Sequence, residues 1–149
     1  MKNFKTVLFG IFSAIVMLTS QSTLAKDIVI TKSELPKKAL AFMDTHFNAK
    51  TIQLVEKDVD LLSVSYKVTF TDQIEIEFDQ SGAWEEVDGN KNQLPTTFLL
   101  KPIVDYITAN YPGAHVIKVS NERRRYEVEL NNGLELEFSK SGEFKRIDH

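Results

Sequence analysis

The chain has 149 residues, a net charge of −3, no cysteine and 42% hydrophobic residues. The lack of cysteine excludes a disulfide framework and a thiol nucleophile. The mildly acidic balance argues against a nucleic-acid stripe, and the hydrophobic share builds a core rather than a disordered acidic tail.

Residues 1–25 read as an export signal. Lys2 and Lys5 precede an apolar run, Val7 to Leu18, and Thr23-Leu24-Ala25 supplies small residues for cleavage. That run has 12 residues, whereas a bilayer span needs about 20. The expectation is therefore a removed leader, with an uncleaved anchor as the rival. The remaining chain, Lys26 to His149, would then carry a net charge of −5.

Lys26 to Lys32 reads as a lead-in. A first helix follows, on Leu35, Ala39, Phe42, Met43 and Phe47, with Thr31, Ser33 and Glu34 as capping candidates and Pro36 in its first turn. Ile52 to Val55 is a strand candidate, and Lys57 to Asp60 reads as a turn. Val64, Tyr66, Val68 and Phe70 alternate with polar residues, as do Ile74, Ile76 and Phe78. Thr71-Asp72-Gln73 and Asp79 to Gly82 are hairpin turns. Ala83 to Val87 completes a meander, and Asp88 to Asn92 reads as a linker.

The second half repeats this plan. Helix 2 is expected over Leu100 to Asn110, ended by Tyr111-Pro112-Gly113. Strands follow over Val116–Val119, Arg125–Leu130, Leu134–Phe138 and Glu143–Ile147, and Asn131-Asn132-Gly133 is the clearest hairpin signal. Residues 66–88 reappear as residues 126–148 without a gap, matching at Tyr66/Tyr126, Glu75/Glu135, Glu77/Glu137, Gly82/Gly142 and Asp88/Asp148. The implied fold is α+β: two tandem repeats, 26–90 and 91–149. Each repeat is a helix followed by an antiparallel meander, with the helices on one face. Units this small would share a core or a sheet.

Tyr111-Pro112-Gly113 followed by Tyr126, Val128, Leu130, Gly133, Glu135, Phe138 and Gly142 resembles the PepSY-like family of exported bacterial proteins, itself likened to beta-lactamase inhibitors. The first copy departs from that pattern at His46-Phe47-Asn48. The resemblance implies a periplasmic or secreted helix-plus-sheet protein with an inhibitor-like binding surface by analogy.

The residues themselves offer no catalytic set. The only histidines are His46, His115 and His149, in no metal-binding spacing. His46, near the end of helix 1, reads as a protonated partner for the helix dipole. Asp88-Gly89-Asn90-Lys91-Asn92 opens like a calcium loop but has Gln93 and Leu99 where glycine and glutamate belong, so it reads as linker. Arg123-Arg124-Arg125 reads as a solvated turn. No cofactor or metal set is implied.

The acidic ladder is the candidate site. Glu75, Glu77, Glu127, Glu129, Glu135 and Glu137 are expected on one solvent-facing surface, the 127/129 pair beside the 135/137 pair. Lys67, Lys145 and the arginines would relieve their repulsion. Trp84 and Phe144 follow the two hairpin glycines and read as rim or core aromatics, grouped with the surface as partner-binding candidates. The leading expectation is a non-enzymatic exported module that binds an envelope or secreted protein through this face or the hairpin loops. The rival is a small-ligand or cation-binding protein, and an enzyme has least support.

Overall fold

The computed structural model describes residues 26–148; the expected leader and His149 lie outside the described residues. Strand β1 (Lys26–Val29) is followed by a 3-10 turn, Lys32–Glu34, and helix α1 (Lys37–His46). Strands β2 (Ile52–Val59), β3 (Val64–Phe70), β4 (Glu75–Phe78) and β5 (Trp84–Asp88) come next. Helix α2 (Lys101–Asn110) then precedes β6 (Val116–Asn121), β7 (Arg125–Leu130), β8 (Glu135–Ser139) and β9 (Phe144–Asp148). Among the described residues, all nine strands form one open antiparallel sheet in sequence order, so the fold is α+β with two helices.

Three local expectations need correction. The lead-in at Lys26 is a strand, held by β2, so the first half does not begin with its helix. Lys57 to Val59 continues β2, because Lys57 and Asp58 pair with Tyr66 and Ser65; the turn lies beyond them. The Thr31/Glu34 box caps the 3-10 turn, where the Thr31 N–H donates to Glu34 Oε2 at 2.8 Å. Pro36 itself is the N-cap residue of α1, where its fixed φ and missing N–H cost nothing.

The alternation expected from the sequence runs across the entire sheet. Val55, Val68, Ile76, Val87, Val119, Val128, Leu136 and Ile147 oppose one another rung by rung, and all but Ile147 are buried. Both helices cover this face. Phe42 of α1 meets Phe78 edge-on at 5.9 Å, and Phe47 stacks on Phe70 at 5.7 Å. Tyr106 of α2 meets Phe138 edge-on at 5.6 Å. Burying such side chains contributes about 2 kcal/mol each, so the shared apolar face is the main source of stability.

Candidate functional site

The opposite face is charged, because residues alternating with a buried row must point to water. One row runs Glu56, Lys67, Glu77, Glu86, Ser120, Glu127, Glu137, Arg146 from β2 to β9. The next runs Thr69, Glu75, Asp88, Lys118, Glu129, Glu135, Asp148 from β3 to β9. The expected neighbours are present, since Glu127 opposes Glu137 and Glu129 opposes Glu135.

Three cations interleave in the rows, and Arg125 completes the set. Lys67 Nζ lies 3.2 Å from Glu77 and 3.8 Å from Glu75. Lys118 Nζ lies 2.8 Å from Glu86 and 3.4 Å from Asp88, and the Ser120 hydroxyl donates to Glu86 at 3.0 Å. Partial burial opposes the charge on both lysines, but the facing carboxylates outweigh it and raise both amines above their usual value. Arg125 contacts Glu127 at 2.6 Å and Glu122 at 2.9 Å, with Glu137 at 3.9 Å. Arg146 contacts Glu137 at 2.9 Å and Asp148 at 3.3 Å. Lys145 pairs with Glu143 instead, and Arg123 and Arg124 stand exposed at the β6–β7 turn.

The glutamates are not equivalent. The side chains of Glu75 and Glu77 are 44% and 45% exposed, whereas those of Glu127 and Glu137 are 19% and 16% exposed beneath the arginines. Burial, then the charge of Glu122, raises the Glu127 carboxyl above its usual value against the pull of Arg125. The more open carboxylates therefore sit at Glu75, Glu77 and Glu135; Glu86 is half-buried and held by Lys118 and Ser120, and Glu127 and Glu137 belong to a clamped network. A groove of about 400 Å³ opens between Glu86, Lys118, Ser120, Glu122, Glu127, Glu129 and Glu135. A smaller one, about 210 Å³, lies among Asp27, Glu56, Asp58, Lys67 and Glu77.

Trp84 and Phe144 are not part of this surface. Trp84 opposes Phe78 on the helix side, stacking on Phe42 at 5.8 Å and on Tyr126 at 6.1 Å. Phe144 stacks on Tyr106 at 4.4 Å. A β-bulge at each of these rungs, after Glu77 and after Glu137, shifts the alternation, so counting alone cannot set their side. Sequence reasoning also missed Glu86, Asp88, Lys118 and Arg146. Counting one residue out from Val87 in β5, Val119 in β6 and Ile147 in β9, on the near side of the bulges, would have found them.

His46 reverses its expected role. It ends α1, but its ring packs 5.0 Å from Phe42 and 6.2 Å from Phe98, and Nδ1 lies 3.0 Å from Thr97 Oγ1. Burial lowers its pKa, favouring the neutral ring over a dipole-paired cation. The Asp88 to Asn92 segment is a compact turn, with Asp88 Oδ1 accepting from the Asn90 N–H at 2.7 Å.

Residues 64–146 match a family described as "Putative beta-lactamase-inhibitor-like, PepSY-like". The chain belongs to the PepSY-like family. Solved structures agree: a Bacteroides thetaiotaomicron protein described as a "putative calcium-regulated periplasmic protein" is 36% identical, with a TM-score of 0.78 over 83% of this chain and 97% of that one. A periplasmic protein of the DUF2874 family from Bacteroides vulgatus is 32% identical, at 0.76 over 83% and 98%. A further periplasmic protein of unknown function from the same species is 33% identical, at 0.76 over 83% and 100%. No curated protein matches. This PepSY-like chain is likewise periplasmic or secreted. Among its described residues, no helix is long and apolar enough to cross a membrane.

Proposed function

We propose that this PepSY-like protein is a non-enzymatic exported binding module that holds a basic protein partner on its polar sheet face. The observation that carries the reading is the pair of charge rows, in which carboxylates outnumber cations from β2 to β9 on the face the helices leave open. Such a field steers a positively charged partner and selects against acidic ones. The inhibitor-like description of the family agrees with a protein-binding role. We also infer that 26–90 and 91–149 are two copies of one helix-plus-meander unit. Matched bulges after Glu77 and Glu137, and a hairpin glycine against each helix, support that reading.

The test is capture from an envelope extract at low and moderate salt on the immobilised protein, repeated with Glu77→Lys, Glu86→Lys and Glu129→Lys combined. One saturable partner lost on charge reversal supports the module. A partner retained by the reversed face removes it.

A cation is the second reading. Carboxylate oxygens of Glu127, Glu137 and Asp148 lie within 4.8 Å of one another, and one structural relative is described as calcium-regulated. Arg125 and Arg146 already neutralise this group, which weighs against it. Calcium titration followed by melting decides: a bound ion raises Tm, and no shift at millimolar calcium eliminates the reading.

A further inference from the structure

The two open edges of the sheet differ in chemistry. β9 exposes Lys145 and Arg146, charges of the kind that blunt an edge against pairing. β1 exposes Ile28 and Val29, the latter 68% accessible. Of the six large hydrophobic side chains exposed among the described residues, five gather at this corner: Ile28, Val29, Val59, Leu61 and Leu62. The β2–β3 turn closes with the Asp60 N–H on the Ser63 carbonyl at 3.0 Å, leaving Leu61 and Leu62 at its tip. Such tips normally carry Gly, Asn or Asp, and among the described residues nothing covers these leucines. A local rule broken with no packing gain marks a surface used for something else.

The backbone says what the edge can accept. The Ile30 N–H donates to the Val55 carbonyl at 2.9 Å, and Ile28 pairs with Lys57 in the same ladder. Alternation therefore spends the polar groups of Ile28 and Ile30 on β2 and turns those of Asp27 and Val29 outward. Thr31 is already closed: its N–H donates to Glu34 Oε2 at 2.8 Å, and its carbonyl accepts the Glu34 N–H at 3.0 Å. Among the described residues the free ladder is thus Asp27 and Val29, with Ile28 between them.

We propose that a second copy of this chain adds antiparallel to β1, with the two-fold axis through Ile28. In that register Asp27 faces Val29 of the other copy in both directions, so every free N–H and carbonyl of the two short edges finds a mate. Ile28 lies against its own equivalent on the helix side, and the charged faces of the two sheets become continuous. Moving the axis to Asp27 sets two carboxylates opposite each other, and moving it to Val29 pairs Asp27 with the occupied Thr31. Pairing β1 with β9 of another copy would set charged residues against the aliphatic edge and leave the assembly unclosed. Self-complementarity of this kind is the mark of an isologous contact. The contact is short, so the dimer is weak and concentration-dependent. It does not depend on the basic partner proposed above.

Sedimentation velocity from micromolar to millimolar protein tests the proposal, together with amide exchange at Asp27 and Val29. The expected result is a doubling of mass at the upper end, with both amides gaining protection as it occurs. Val29→Pro removes an outward N–H that the fold does not use, a position where an edge strand tolerates proline. Ile28→Lys places like charges on the axis. Both variants are expected to stay monomeric at millimolar concentration with Tm unchanged. A wild type that stays monomeric there, or a dimer that survives both substitutions, overturns the proposal. So does a dimer lost on Leu61→Ser with Leu62→Ser but kept with Val29→Pro, which would put the contact at the hairpin tip.

Discussion

The β4–β5 turn presses on its helix harder than the β8–β9 turn does, although both read Ser-Gly. A Cβ on Gly82 would lie 2.6 Å from Pro36 Cβ and 3.0 Å from the Ala39 nitrogen. One on Gly142 would meet Pro102 Cβ at 3.1 Å and otherwise only ordinary contacts. The aromatic that follows each glycine differs in the same sense. Trp84 is in β5, which pairs with β6, so it touches α1, the connector at Phe98 and Tyr126 of the second half. Phe144 is in the edge strand, and the aromatic rings it meets among the described residues, Tyr106 and Phe138, both belong to the second half. Similar sequence therefore has different energetic weight at the centre and at the edge of one sheet.

That contrast can be broken in order of size. Gly82→Ala combines a left-handed φ of 81° with a clash against the Pro36 ring and a tight approach to the Ala39 nitrogen, and should cost about 4 kcal/mol, read as a fall in chemical-denaturation midpoint. Gly142→Ala, at a similar φ but with room to adjust, should cost about 2 kcal/mol. Trp84→Ala should cost about 3 kcal/mol, and Phe144→Ala about half that. Equal losses at the two aromatics would refute the centre-versus-edge reading.

The hairpins opposite these turns sharpen it further. Gln73 (φ 69°) and Gly133 (φ 83°) hold the same left-handed position in the β3–β4 and β7–β8 turns. Gln73→Gly should stabilise by about 0.5–1 kcal/mol, and Gly133→Ala should destabilise by about 1 kcal/mol, both read from thermal melts. Smaller again is Lys67→Met on the polar face. With both partners about half exposed, it should cost about 0.5 kcal/mol, less at high salt.

His46 gives the pH-dependent test. Its folded pKa lies below the usual 6.5, so between the two values the unfolded chain holds a proton that the folded chain rejects. Stability should therefore fall as pH drops from 6.5 through the folded value, and His46→Gln should flatten that slope. An unchanged slope in the variant would assign the effect to other groups.

The helices, eight of the nine described strands and the carboxylate pairing were legible because alternation and helical spacing are local properties. β1 was not: four residues of mixed character become a strand only because β2 offers a free edge. Asp88 looked like linker for the same reason, and became part of the polar face when β5 paired with β6. The core reading of Trp84 and Phe144 agrees with their packing under the helices, but their side of the sheet was not countable, because a bulge inserts one residue and turns everything after it over.

Composition and spacing by themselves determined an α+β chain with an acidic face and a repeated sequence. Those features follow from which residues neighbour each other along the backbone. Small unit size already called for a shared core or sheet. Tertiary structure alone decided that the halves join at β5–β6, that Arg125 and Arg146 clamp two of the six predicted glutamates, and that among the described residues the aliphatic edge stays open. Each depends on groups far apart in sequence meeting across a strand, and no local pattern encodes that meeting.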